Sequence, residues 1–558
     1  MTRRRAALSL RVAGLLVLLE LLVLGVRSAS GQNRITVTAP GGFSRQQLAF
    51  VHSGTFGLVL SGNPPNGQKL LSFSTDTGQI ADTADLSGFE GASTGTPGLV
   101  FGEAAYSTNG QVLTASSGQT KAGTITYYAT ETFPITVHAF GASGLVTLSG
   151  QDSSGTQIVE MFLVDQQGKL SLQWQSSFGS PVNRSFSVPG AAFSSDGSRL
   201  YVQYLTQGSS GSFGESLALV NCSDGTTVDS IALPGGEGDP GLLIDSQNNR
   251  LIMLGMGSST LYIIPESLSA LTVSATIQIT RPHRPRHLIA IVGGKFALTY
   301  GGAAFGASAG QNVFYSTNLG TGATKESDVP QSDLPFGNTL ALDGSATANA
   351  GAVLAPYSTP SVTIAGVPQP ASPPGSGTNT MSIIPLGASG RLQSSLTVSL
   401  PAADLIVASN NAIASKSGAI VFLATGAGAL VSIDAENGTM VNSTQLDAER
   451  LRWIELNPET NQIFYSNGVI LGAIPAPDHA VISSVNVGDS STVIQGANFL
   501  KGATVTVNGK EISASPGESP GSEITIKKGK KFFSGSSQFT IIVTNRDGLS
   551  SDPFTLKP

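Results

Sequence analysis

Apolar residues along this chain come in short runs, each closed by a turn, and nowhere in its body at the three-to-four spacing of an amphipathic helix. GAAFSSDGSRLYVQY (190–204) is an apolar run, a turn on Asp-Gly and a second apolar run, and LALVNCSDGTTVDSIAL (217–233) repeats the scheme. Runs of this kind around a tight turn predict β-hairpins, because Asp, Asn and Gly accept the backbone angles such turns demand. Looser copies are GLLIDSQNNRLIML (241–254), HLIAIVGGKFALTY (287–300), NNAIASKSGAIVFLAT (410–425) and RWIELNPETNQIFYSN (452–467). Upstream, QLAFVHSGTFGLVLS (47–61), GEAAYSTNGQVLTAS (102–116) and HAFGASGLVTLSGQD (138–152) follow the same template. The starts, near 47, 102, 138, 190, 241, 287, 339, 410 and 452, recur roughly every fifty residues, the length of one four-stranded propeller blade with its loops.

The pattern therefore predicts an all-β chain with a β-propeller over residues 34–475. GAAFSSDGSRLYV and GLLIDSQNNRLIML resemble the repeat of YVTN-type bacterial β-propellers, in which an apolar stretch, an Asp-Gly turn and a Tyr-Val strand open each blade. WD40 blades would need Gly-His and Trp-Asp pairs, and the chain has two Trp; kelch blades need regular Gly-Gly doublets. The last unit supplies three strands (RWIEL, QIFYS, VILGAI), while RITVTA (34–39) is a lone strand ahead of the first. Pairing the two would complete one blade from both ends of the domain. Eight blades fit the length best, with seven and nine open.

After IPAPD (474–478) the pattern changes to period-2 strands between Gly, Asn and Asp turns, which predicts a small immunoglobulin-like β-sandwich over residues 478–558. TVIQGANFLKGATVTVNGK, with Gly496, Asn498 and Phe499, and the closing VTNRDGLSSDPFTL resemble the IPT/TIG domain. In exported bacterial proteins that resemblance implies an adhesion, spacing or interaction module. The Pro-marked change of pattern predicts that this segment folds on its own.

The opening residues stand apart. Arg3, Arg4, Arg5 and Arg11 precede an apolar run from Val12 to Val26 and then small residues, the order of a secretory signal peptide, here residues 1–31. The run, about 15 residues with Glu20 inside, is short of the ~20 that span a bilayer, so no membrane span is expected after its removal, with an uncleaved anchor as the alternative. Removing it leaves 25 basic against 35 acidic residues, a balance of about −10 compared with −6 for the whole chain. An acidic chain without a concentrated basic footprint argues against nucleic acid as a partner. The single Cys222 forms no intrachain disulfide, and its place in LALVNC predicts a buried thiol. Charged residues make up only 12% while Gly reaches 67 of 558, which fits a turn-rich chain stabilised by its core.

Candidate chemistry is sparse. Five His and no HExxH or P-loop motif give no catalytic residues, no metal site and no cofactor. The densest polar cluster, RPHRPRH, offers Arg281, His283, Arg284, Arg286 and His287 as ligand-binding candidates at the entrance to an innermost strand, suited to an anion; a Pro-rich connector with paired Arg residues is the plainer reading. Lys527, Lys528, Lys530 and Lys531 read as a solvated hairpin tip, DTADLSGFE (82–90) as an oxygen-rich stretch without a calcium-loop pattern, and Asp196, Asp224, Asp245 and Asp434 as turn caps. The expected function is that of a secreted, non-enzymatic binding or scaffold protein, extracellular, periplasmic or at the cell surface. It would act as a monomer on a protein or carbohydrate partner. The alternative is a propeller hydrolase or lyase acting on a small lactone, ester or sugar.

Overall fold

In the computed structural model the chain is a β-propeller joined to a small two-sheet domain. The structure describes residues 35–39, 48–61, 69–86, 104–106, 112–114, 125–127, 135–140, 144–151, 156–179, 190–207, 213–235, 241–255, 258–280, 285–301, 313–326, 351–354, 362–366, 380–386, 389, 396–399, 412–415, 417–425, 427–446, 451, 453–457, 459–467, 469–527 and 529–557. Residues 1–31, expected to be a signal segment, lie outside these. Among the described residues no helix is long and apolar enough to cross a membrane.

Six antiparallel sheets of four consecutive strands span residues 49–85, 135–178, 190–233, 241–278, 351–399 and 412–445. A seventh, residues 285–326, carries a fifth strand, and an eighth combines Trp453–Asn457, Gln462–Ser466 and Ile470–Pro475 with Ile35–Thr38. In that last sheet Ile35 pairs with Ala473 and Thr38 with Ile470, the closure expected from the lone N-terminal strand. Burial along each blade explains why the sequence shows apolar runs and little alternation. Third strands are almost wholly buried, as in Gln157–Val164 and Ala429–Asp434, whereas fourth strands such as Ile80–Asp85 and Thr227–Leu233 alternate. The cores lie between blades: Leu58, Leu60 and Leu70 pack on Val146, Leu148 and Phe162, and Phe50, Val59 and Phe73 pack on Phe464 and Leu471. Among the described residues the second and third strands are thus largely apolar on both faces, and exposure concentrates on the fourth strands.

The hairpin from third to fourth strand repeats with one geometry. Gly78, Gly168, Gly225, Gly322 and Gly438 all stand there at φ between 71° and 80°, which a side chain would oppose. In four blades the fourth strand then bulges, at Ala81, Gln173, Val228 and Val441, and in three of these an Asp or Asn follows: Asp82, Asp229, Asn442.

One unit departs from the expectation. Among the described residues of this segment, Ala104–Tyr106 pairs with Val112–Thr114 in a two-stranded sheet, and the next described strand, Ile125–Tyr127, pairs with Ala290–Val292 on the inner edge of the seventh sheet. The sequence after position 116 offers no long apolar run of the kind that forms the third strands elsewhere. The described part of DTADLSGFE belongs to strand Ile80–Asp85, with Asp82 turned to the next blade and Asp85 paired with Lys69 at 3.2 Å.

The C-terminal residues form two four-stranded sheets, one with Val481–Val487, Ser491–Ala497 and Glu523–Lys527, the other with Thr504–Val507 and Phe539–Thr544. They enclose one core of Ile494, Val505, Ile524, Phe533, Ile541 and Val543 among others. The lysine run is not a hairpin tip. Gly529–Lys531 is a 3₁₀ turn that delivers Phe533 to the core, and Lys530 pairs with Asp489 at 2.7 Å.

Candidate functional site

Each blade's strands alternate direction, so the turns joining first to second and third to fourth strands share one face of the propeller. The connections from second to third strand, and from blade to blade, share the other. Strand Pro285–Val292 starts on this loop face and has the innermost place among its blade's own four strands. His287 pairs with Tyr300, and the register slips beside Arg286. Arg281, His283 and Arg284, and the side chains of Arg286 and His287, lie outside the described residues.

On the neighbouring seams the described residues build a polar layer. Gln203 donates from Nε2 to Glu215 Oε1 and, at 3.1 Å, to the Leu254 carbonyl; its own Oε1 accepts the Gly241 N–H at 3.0 Å. Gln157 does the same across the preceding seam, donating to the Leu205 carbonyl at 2.7 Å and accepting its N–H at 3.0 Å. Tyr262 donates to the Pro234 carbonyl at 2.7 Å, and burial followed by the nearby Glu215 charge raises its phenol. A Cβ at Gly241 would stand 3.1 Å from that of Leu288, so the strand bearing His287 packs directly against this layer. Sequence reasoning missed Gln157, Gln203 and Glu215, because isolated polar residues inside apolar strands carry no local mark of a partner about fifty residues away.

The turn face is sealed by side-chain bonds between blades. Asn457 donates to the Gly54 carbonyl at 2.8 Å, His52 Nε2 lies 2.7 Å from the Val164 carbonyl, and Asn248 and Arg250 both donate to the Gly294 carbonyl. Of the four aspartates read as turn caps, Asp196 and Asp224 are so, accepting the Ser198 and Thr226 N–H groups. Asp245 is also a buried ion-pair partner of Arg250 at 2.8 Å, and Asp434 reaches beyond the propeller. Cys222 is buried, its thiol pushed up to about 12 by desolvation.

Two carboxyls stand out for their surroundings. Glu160, 4% exposed in a third strand, is raised to about 7 by burial, and Glu455, on an innermost strand, to about 8. They occupy different blades and do not form a pair. Among the described residues no three His, Cys, Asp or Glu side chains gather as a metal-binding group.

The C-terminal domain sits on the turn face. Arg546 grips Asp434 with two bonds of 2.7 and 2.9 Å, Ser417 donates to Asp547 at 2.7 Å, and Asn461 donates to Asp478 at 2.9 Å.

No protein-family model and no curated protein matches the chain. Among solved structures, Sqt1 of Saccharomyces cerevisiae is similar at 11% identity and a TM-score of 0.45, over 80% of this chain and 100% of that one. The computationally designed Ika8 protein gives 12% and 0.42 over 80% and 100%, and BamB of Moraxella catarrhalis 11% and 0.37 over 79% and 99%. The β-propeller fold of this chain stands on its own sheet topology.

Proposed function

We propose that this chain is a secreted, non-enzymatic binding scaffold, a YVTN-like propeller of eight blades followed by an IPT/TIG-type immunoglobulin-like domain. Its loop face, with Arg281, His283, Arg284, Arg286 and His287, receives an acidic protein or carbohydrate outside the cell or at its surface. One observation carries the reading: the C-terminal domain covers part of the turn face through Asp434, Ser417 and Asn461, which leaves the opposite face, where strand Pro285–Val292 begins, for a partner. Three arginines within six residues at that mouth suit carboxylate or sulfate groups, which Arg binds through paired N–H donors.

The test is binding of the exported protein to immobilised acidic and neutral polysaccharides and to acidic proteins. Replacing Arg281, Arg284 and Arg286 together by Gln is expected to weaken capture by an acidic partner about tenfold or more, with salt doing the same. Unchanged binding would remove the loop-face site. Turnover of a lactone or ester panel by the wild-type protein would overturn the non-enzymatic reading.

A further inference from the structure

The bulged fourth strands show how neighbouring blades are fastened on the turn face. Asp82 takes the Thr83 N–H on one oxygen and, on the other, the Leu170 N–H of the next blade at 2.8 Å. Asp229 repeats this with Ser230 and with Leu271 of its neighbour at 2.7 Å. Asn442 holds the equivalent place, four residues after Gly438 as Asp82 and Asp229 follow Gly78 and Gly225, and takes the Ser443 N–H. The blade beyond it, however, has no third-to-fourth hairpin. Its third strand ends at Pro475 and its fourth is Ile35–Thr38, from the other end of the propeller.

The loop 496–502 of the C-terminal domain occupies that place. The Asn498 N–H bonds the carbonyl of the bulged Val441 at 3.0 Å, and the Lys501 N–H bonds Asp434 at 2.8 Å. Leu500, 3% exposed, joins the propeller cluster of Ile420, Phe422, Ile454 and Ile474. Arg546 adds its two bonds to Asp434 and pairs with Glu436 at 3.3 Å, while Asn545 braces the loop from within its own domain, accepting the Leu500 N–H at 3.0 Å. Gly521 lies so close that a Cβ there would stand 2.8 Å from Val441.

We propose that the C-terminal domain is the clasp of the ring: its 496–502 loop and Arg546 replace the hairpin that the closing blade lacks, so the seam holds only while the domain is docked. The role is independent of what the loop face binds.

Hydrogen exchange on the full-length protein tests it. In the Leu500→Ala, Arg546→Ala double variant, amides of 35–38, 440–445 and 470–474 should exchange roughly tenfold or more faster, with 199–220 unchanged. Lys530→Ala, on the far 3₁₀ turn, serves as the control and should change none of them. If only residues 481–544 lose protection, the domain is a mere passenger and the clasp is refuted. The unaltered protein gives the second reading should the variant not fold. Under increasing denaturant below the unfolding transition, the C-terminal strands and strand Ile35–Thr38 should open as one unit. Early opening of the C-terminal strands with the seam still protected refutes the proposal.

Discussion

Glu160 sits in a third strand between Val159 and Met161, both fully buried, and its carboxyl titrates near 7 where 4.5 is usual because desolvation disfavours the charge. A folded-state value above the unfolded one means the native protein binds the extra proton between about pH 4.5 and 7. Stability therefore falls as pH rises through that window. Glu455 and Asp547, both raised by burial, act in the same sense, and so does His479, raised by its bond to Asp478, whose contribution is lost as it deprotonates. Thermal melting followed from pH 5 to 8.5 should show a falling Tm, and Glu160→Gln should flatten that fall; an unchanged slope would place the proton elsewhere. Asp229→Ala is expected to cost about 1 to 3 kcal/mol by denaturant titration, because it leaves the Leu271 N–H without its acceptor. A loss below about half a kcal/mol would mean that water replaces the carboxylate. Turn glycines and apolar runs were legible in the sequence because their causes are local. The Asp434–Arg546 pair was not, since the two residues stand 112 positions apart and Asp434 alone reads as a turn cap.

At the scale of elements, hairpins and the pairing that closes the ring followed from pattern, and the partner of Ile125–Tyr127 did not. Three-residue strands contain too little to specify a partner, and Ile125–Tyr127 found one more than 160 positions away on Ala290–Val292. The candidate site was legible only as a cluster of residue types: Arg281 to His287 announced charge at a strand entrance, whereas the layer of Gln157, Gln203 and Glu215 depends on the register between blades. The N-terminal strand offers the sharpest element-scale prediction. It buries Ile35 and Val37, and each large aliphatic is worth roughly 1.5 to 3 kcal/mol. Deleting residues 34–39 should lower the Tm and promote oligomers through the exposed edge of Ile470–Pro475, whereas removing six residues from the Pro-rich stretch 368–377 should do neither. Equal melting temperatures and equal elution volumes for the two deletions would show that the strand does not hold the ring.

For the whole molecule, export and closure make joint demands. Intact-mass measurement of exported protein should show a new N-terminus between Ala29 and Asn33, and recovery of the full-length chain with membranes would point instead to a retained anchor. The strand that follows this N-terminus is the first of the described strands to leave the ribosome, yet its partner Ile470–Pro475 is among the last propeller strands made. At 5 to 20 residues per second, roughly 20 to 90 seconds separate the two. Blades made in between can stack on one another while the first strand waits unpaired, and the loop 496–502 emerges only after its partner strand. Timing in this chain is therefore written into its connectivity. An incomplete chain ending short of residue 475 would be an open ring with a bare strand edge, recognisable to proteases and chaperones as unfinished.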